Sequence, residues 1–200
     1  MEGEDIKILE LTKNIEKGFY MDVGCYHPLH INNCNLLHQK GWSGINIDIS
    51  KFSIDLFNHL RPKDFNINCA VSNKPGKISY FYQKELSQLT SLKKKLAEER
   101  MQGYIKEGSI ESKTLTSILD NSKFKNKKID FLNIDVEGAD YEALISLNFQ
   151  KYRPKVICIE ITKKFEDSII FKFLKEKKYI LVWSSKSNIS HIFIDEENFK

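Results

Sequence analysis

The sequence predicts an α/β domain built on a doubly wound, mostly parallel sheet with a C-terminal antiparallel hairpin. Two observations carry that reading. Short unalternating apolar runs recur along the chain (FYMDV, GINIDI, IDFLNIDV, VICIEI), which is the pattern of strands buried on both faces. Segments of helical apolar spacing lie between them, so most strands are followed by a crossover rather than a hairpin. At 200 residues the chain can bury a full core but not two large ones, so residues 1–200 are expected to form one domain.

Each element follows in order. Residues 4–17 put Ile8, Leu9, Leu11 and Ile15 on one face, predicting an N-terminal helix, within residues 1–18, that Gly18 stops. Phe19 to Gly24 reads as a strand running into a glycine turn, and Asn33 to Lys40 as a short helix ended by Gly41. Gly44 to Ile49 is a second buried strand, Phe52 to Leu60 a helix closed by Pro62, and Phe65 to Val71 a third strand. Pro75-Gly76 turns the chain into a fourth, Lys77 to Tyr82. Residues 83–113 are polar and read as a partly helical excursion that shapes an acceptor site. Leu115 to Leu119 opens a helix, Ile129 to Val136 is a strand, Ala139 to Leu147 a helix and Val156 to Ile161 a strand. An amphipathic helix from Phe165 to Lys177 precedes a closing hairpin, Tyr179 to Trp183 with His191 to Ile194.

Composition narrows the function. With 31 basic against 27 acidic residues, the net charge of +4 permits an anionic small-molecule acceptor but is too slight for a nucleic-acid footprint. Lys93-Lys94-Lys95 with Arg100 can steer such an acceptor, although runs of this kind are more often a solvated helix face. The four cysteines form no CxxC pair, and Cys69 and Cys158 sit in apolar runs, as expected of buried thiols in a reducing compartment. An acidic amphipathic start and the lack of a membrane-spanning apolar run predict a cytoplasmic protein; homo-oligomer formation is left open.

In a doubly wound sheet the ligand sits beyond the carboxyl ends of the strands. Asp22-Val23-Gly24 after the first strand and Asp48 after the second have the layout of a nucleoside site: the glycine admits close backbone approach, and the acid can accept both ribose hydroxyls. A dinucleotide enzyme is disfavoured because Cys25-Tyr26-His27-Pro28 stands where G-x-G-x-x-G would cradle a pyrophosphate. A cofactor without phosphates, S-adenosylmethionine, fits better, with Asp22 holding its cationic end directly or through water. Asp135 and Glu137, two apart after a buried strand, can bind a hydroxyl, take its proton or hold a divalent metal. Glu137 can equally just complement the positive start of the next helix.

The blocks GFYMDVGCYHP, NNCNLLHQKGWSGINID, NINCAVSNKPGKISYFY, LTSL, TLTSIL, IDFLNIDVEGADYEAL and YRPKVICIEI resemble, in order and spacing, the FkbM family of S-adenosylmethionine-dependent methyltransferases over about residues 3–195. The resemblance implies a class I, Rossmann-like fold with a seven-stranded sheet. It further implies O-methylation of a carbohydrate or nucleotide-sugar acceptor, in surface polysaccharide biosynthesis, although polyketide-like acceptors also occur. The expected cofactor contacts are Asp22, Gly24, Cys25, Tyr26 and Asn33 in the first ligand loop, Asp48 and Ile49, Ala70 and Val71, and Asp135. Asp135 is the first candidate for a base, His27 the second, and Glu137 completes the catalytic set. Asp135, Glu160 and His27 are the candidate ligands for Mg2+ or Mn2+. Three departures stand out: Tyr26 at an often polar position, Asn32-Asn33-Cys34 in place of Ser-Asn-Thr, and Lys178 in place of a frequent glycine. The alternatives are a nucleic-acid or other small-molecule methyltransferase, and a binding module without turnover. His27 can also be no more than a structural loop histidine.

Overall fold

A computed structural model of the chain describes residues 2–161 and 167–197. The first half comprises α1 (Glu4–Leu11), β1 (Phe19–Val23), α2 (Asn35–Gln39), β2 (Ser43–Asp48), α3 (Lys51–Leu60), β3 (Phe65–Asn68), β4 (Ala70–Val71) and β5 (Gly76–Tyr82). The second comprises α4 (Lys94–Arg100), β6 (Lys106–Lys113), α5 (Leu115–Asp120), β7 (Phe131–Ile134), α6 (Asp140–Leu144), β8 (Val156–Glu160), α7 (Ile169–Glu176), β9 (Tyr179–Ser184) and β10 (Ser190–Asp195).

Seven strands form the main sheet in the order β3-β2-β1-β7-β8-β10-β9, parallel except for β10, which runs antiparallel to both its neighbours. The direction of winding reverses between β1 and β7, and that switch point opens a crevice at the strands' carboxyl ends. Alternate residues of β1 serve opposite faces. Phe19, Met21 and Val23 enter a large core with Leu115 of α5, Leu144 of α6 and Leu174 of α7. Tyr20 enters a second core with Ile8 of α1 and Leu37 of α2. Covering both faces is what makes the strands' unbroken apolar runs physically reasonable.

Several expected elements differ in extent. The N-terminal helix ends at Leu11, where the Thr12 hydroxyl donates to the Ile8 carbonyl at 2.8 Å, rather than continuing to residue 17. Phe65 to Val71 is two strands, not one. At Cys69 the backbone N–H donates to the Asp48 carbonyl, and the chain then leaves the main sheet to pair β4 with β6. Within 83–113, α4 is the helical part, but Lys106–Lys113 is a full strand antiparallel to β5. Its sequence, KEGSIESK, is polar because the β4-β6-β5 sheet is largely solvated, which leaves little apolar alternation to read. Of the helix expected over 165–177, residues 165 and 166 lie outside the described residues. The described part is Ile169–Glu176, capped by the Ser168 hydroxyl accepting from Ile170 N–H at 3.2 Å. Lys178 adopts a φ of +62°, the left-handed conformation that explains a glycine preference there. No helix among the described residues is long and apolar enough to cross a membrane.

Candidate active site

The carboxyl ends of β1, β2, β7 and β8 wall a cavity of about 310 Å³, and residues 87–92 of the excursion cover it. Gly24 makes this geometry possible. Its φ is +79°, and a Cβ there would lie 1.8 Å from the Asp135 carbonyl oxygen, so only glycine lets the β1 and β7 ends approach this closely.

Asp22 is 1% exposed, and its two carboxylate oxygens accept from the side-chain amides of Asn32 at 2.6 Å and Asn133 at 2.9 Å. Burial pushes its pKa up, opposed by those hydrogen bonds and by the Arg61 charge. Asn33 donates to Asn133 Oδ1 at 3.0 Å, while its own Oδ1 is buried without a hydrogen-bond partner among the described residues. The wall thus pairs an anionic group with an unsatisfied acceptor, the chemistry that receives a cationic donor.

Asp48 accepts the Tyr26 N–H at 2.8 Å on one oxygen and the Ser50 N–H at 2.7 Å on the other. Those bonds fix the carboxylate plane and leave a lone pair on each oxygen for the cavity. Burial raises its pKa to about 6, with the backbone donors pulling the other way.

Three acids meet the cavity from β7 and β8. Asp135 is pushed well above the carboxylate range by burial and by repulsion from Glu160, Glu137, Asp140 and Asp22. Glu160 is raised to about 7 by burial and by Glu137 and Asp140. Glu137, at a φ of +50°, forms an ion pair with Arg100 of α4, and the Ser91 hydroxyl donates to its carbonyl at 2.9 Å. These two contacts tie the covering segment to the end of β7. The first turn of α6 carries acids of its own, Asp140 and Glu142, and Asp140 closes the loop ahead of the helix by accepting from Val136 N–H and Gly138 N–H, both at 3.0 Å.

Of the sequence-derived residues, Asp22, Gly24, Cys25, Tyr26, Asn33, Asp48, Ile49, Val71, Asp135, Glu137 and Glu160 all line this cavity. Ala70 does not; it is buried in β4, while its neighbours Cys69 and Val71 face the cavity. His27 is also outside the lining. Its Nδ1 accepts from the N–H groups of Leu29 at 3.1 Å and His30 at 3.2 Å, so the lone pair that a base or ligand would use there closes a turn. These two bonds give His27 a loop-closing role through Nδ1, at a position outside the cavity lining. The same placement corrects the metal set: His27 is not brought to Asp135 and Glu160, and no group of three or more His, Cys, Asp or Glu side chains among the described residues is arranged to hold an ion. Asn133 was not singled out as a site residue, whereas Asn32 stood only within the departure Asn32-Asn33-Cys34 and residues 87–92 only within the 83–113 excursion expected to shape the acceptor site. For Asn133, a lone amide inside the apolar run FLNI was the available signal. All four cysteines are buried and free.

The sequence matches the model of the methyltransferase FkbM domain over residues 22–181, which includes every wall of the cavity except part of β10. No curated protein matches it significantly. Among solved structures, a TehB-like SAM-dependent methyltransferase from Corynebacterium glutamicum ATCC 13032 Kitasato aligns over 96% of this chain and 88% of its own, at 11% identity and a TM-score of 0.46. A likeness that distant adds nothing to the family assignment. Matched over most of its length, with the DVG turn, the second-strand acid and the IDVEGAD block all converging on one crevice, the chain belongs to the FkbM methyltransferase family and is an S-adenosylmethionine-dependent enzyme.

Proposed function

We propose that the enzyme methylates a hydroxyl of a carbohydrate or nucleotide-sugar acceptor, in the cytoplasm, where its buried free thiols stay reduced. The observation that carries this reading is the acid pair Asp135 and Glu160 on the cavity wall, with Glu160 raised to about 7. A carboxylate that takes up a proton near neutrality is matched to the removal of a hydroxyl proton. An amine acceptor needs no such base once its nitrogen is neutral. The carbohydrate class is what the resemblance to FkbM enzymes implies.

The residues fit S-adenosylmethionine. Asp22 and the unsatisfied Asn33 Oδ1 offer acceptors to an ammonium, and the free lone pairs of Asp48 suit a pair of vicinal hydroxyls. When bound, the cofactor supplies an electrophilic methyl group. Asp135 and Glu160 orient the acceptor hydroxyl, and the ionised carboxyl of the two receives its proton. Residues 87–92, held by Ser91 and by the Arg100–Glu137 pair, exclude water from the reacting atoms.

The test incubates the protein and S-adenosylmethionine with neutral sugars, nucleotide sugars and oligonucleotides, and seeks a mass gain of one methylene. Two-dimensional NMR of the product then assigns the methylated atom. A methoxyl carbon on a sugar is expected. Transfer to nitrogen, or to oligonucleotides alone, would overturn the proposal.

A further inference from the structure

Arg61, the residue that ends α3, is 2% exposed, and its guanidinium contacts a phenol, a carbonyl and two amides rather than a carboxylate. Nη1 donates to the Tyr20 hydroxyl at 3.0 Å, and that hydroxyl donates in turn to Asp64 at 2.6 Å. Nη2 donates to the Pro28 carbonyl, to Asn32 Oδ1 at 3.1 Å and to Asn35 Oδ1 at 3.4 Å. A buried cation is costly, and a core of this kind is ordinarily made more stable by an apolar side chain of similar size. A cation buried this way calls for a use beyond packing.

The hydrogen bonding supplies one. A guanidinium can only donate, so it dictates which end of the Asn32 amide faces it. With Oδ1 turned to Arg61, both hydrogens of Asn32 Nδ2 are directed away, to Asp22 at 2.6 Å and to the Cys25 carbonyl at 3.1 Å. The same guanidinium grips Pro28 and Asn35, so one side chain ties the first ligand loop to the start of α2. We infer that Arg61 is a positioning residue for the amino-acid end of the cofactor, setting the Asn32 amide and the loop so that the Asp22 carboxyl is held in orientation for a ligand ammonium. This rests on the assignment of Asp22 proposed above. Its charge also opposes the upward push that burial gives the Asp22 carboxyl.

Two probes separate positioning from scaffolding. S-adenosylhomocysteine carries the amino-acid end, and 5′-methylthioadenosine lacks it but keeps the nucleoside. Calorimetry on folded Arg61→Met should show S-adenosylhomocysteine loosened about tenfold or more, with 5′-methylthioadenosine within about twofold of wild type. Arg61→Lys keeps the charge but loses the fork, so it should fall between. Asn32→Ala, which leaves Arg61 anchored to Tyr20 and Pro28, should give the same selective loss even if Arg61→Met does not fold. Equal loosening of both probes in the folded variants, or no change in either, overturns the inference and leaves the cofactor site standing. Wild-type protein that binds neither probe overturns the cofactor assignment, and this inference with it.

Discussion

Glu160→Gln should make the protein more stable at alkaline pH while removing most of its activity. Burial and neighbouring acids hold the Glu160 carboxyl at about 7 against an ordinary 4.5. Ionising it in the folded protein therefore costs up to about 3 kcal/mol more than in the unfolded chain, with solvent at the half-buried carboxyl reducing that figure. Below the lower value both states carry the proton and nothing is lost. Between the two values the folded state holds the proton and the unfolded chain does not, so unfolding free energy falls as pH rises, and it levels off above about 7. Glutamine keeps the shape of the protonated acid and cannot ionise. Urea unfolding of the ligand-free proteins at about pH 4, below both values, should then give nearly equal stabilities, and at about pH 8 the variant should be ahead by about 1 to 3 kcal/mol. Turnover of the same variant should drop about a hundredfold, the usual scale for a lost base. A variant less stable than wild type at alkaline pH, or a difference independent of pH, would refute the electrostatic account of the acid pair.

Other perturbations address the remaining walls. Asp48→Ala should weaken S-adenosylmethionine binding about tenfold or more, roughly 1.4 kcal/mol, by calorimetry. Since Asp48 takes up its proton at about 6, wild-type affinity should decline as pH falls through that value and the variant's should not; equal pH dependence would remove Asp48 from the site. Asp135→Asn should lower kcat about a hundredfold with little change in cofactor dissociation constant, and near-normal turnover would shift the proton transfer wholly to Glu160. Gly24→Ala would force a methyl group to within 1.8 Å of the Asp135 carbonyl, so a loss of about 3 kcal/mol or more is expected in urea unfolding. A soluble, normally stable Gly24→Ala protein would show that the two strand ends can separate.

The strand-end acids were legible in the sequence because doubly wound sheets place ligands after unbroken apolar runs, and Asp22, Asp48, Asp135 and Glu160 each end or follow one. Asn133 was not, since an amide within an apolar run gives no sign of its partner until β1 and β7 stand side by side and Asp22 lies within reach. The strand Lys106–Lys113 escaped notice because a solvated sheet imposes no apolar pattern. His27 sat next to the ligand turn in the chain, yet its ring bonds its own loop, and sequence distance carries no information about which way a side chain points.

By itself the sequence determined the class of sheet, the crevice and the identity of most acids around it, because periodicity and strand-end position are local properties of the chain. Which acids repel one another, which one is neutralised by Arg100, and which amide a buried Arg61 turns toward Asp22 were decided only by the tertiary structure. Those are matters of distance and burial between residues far apart in the chain, and a carboxyl's proton affinity depends on both.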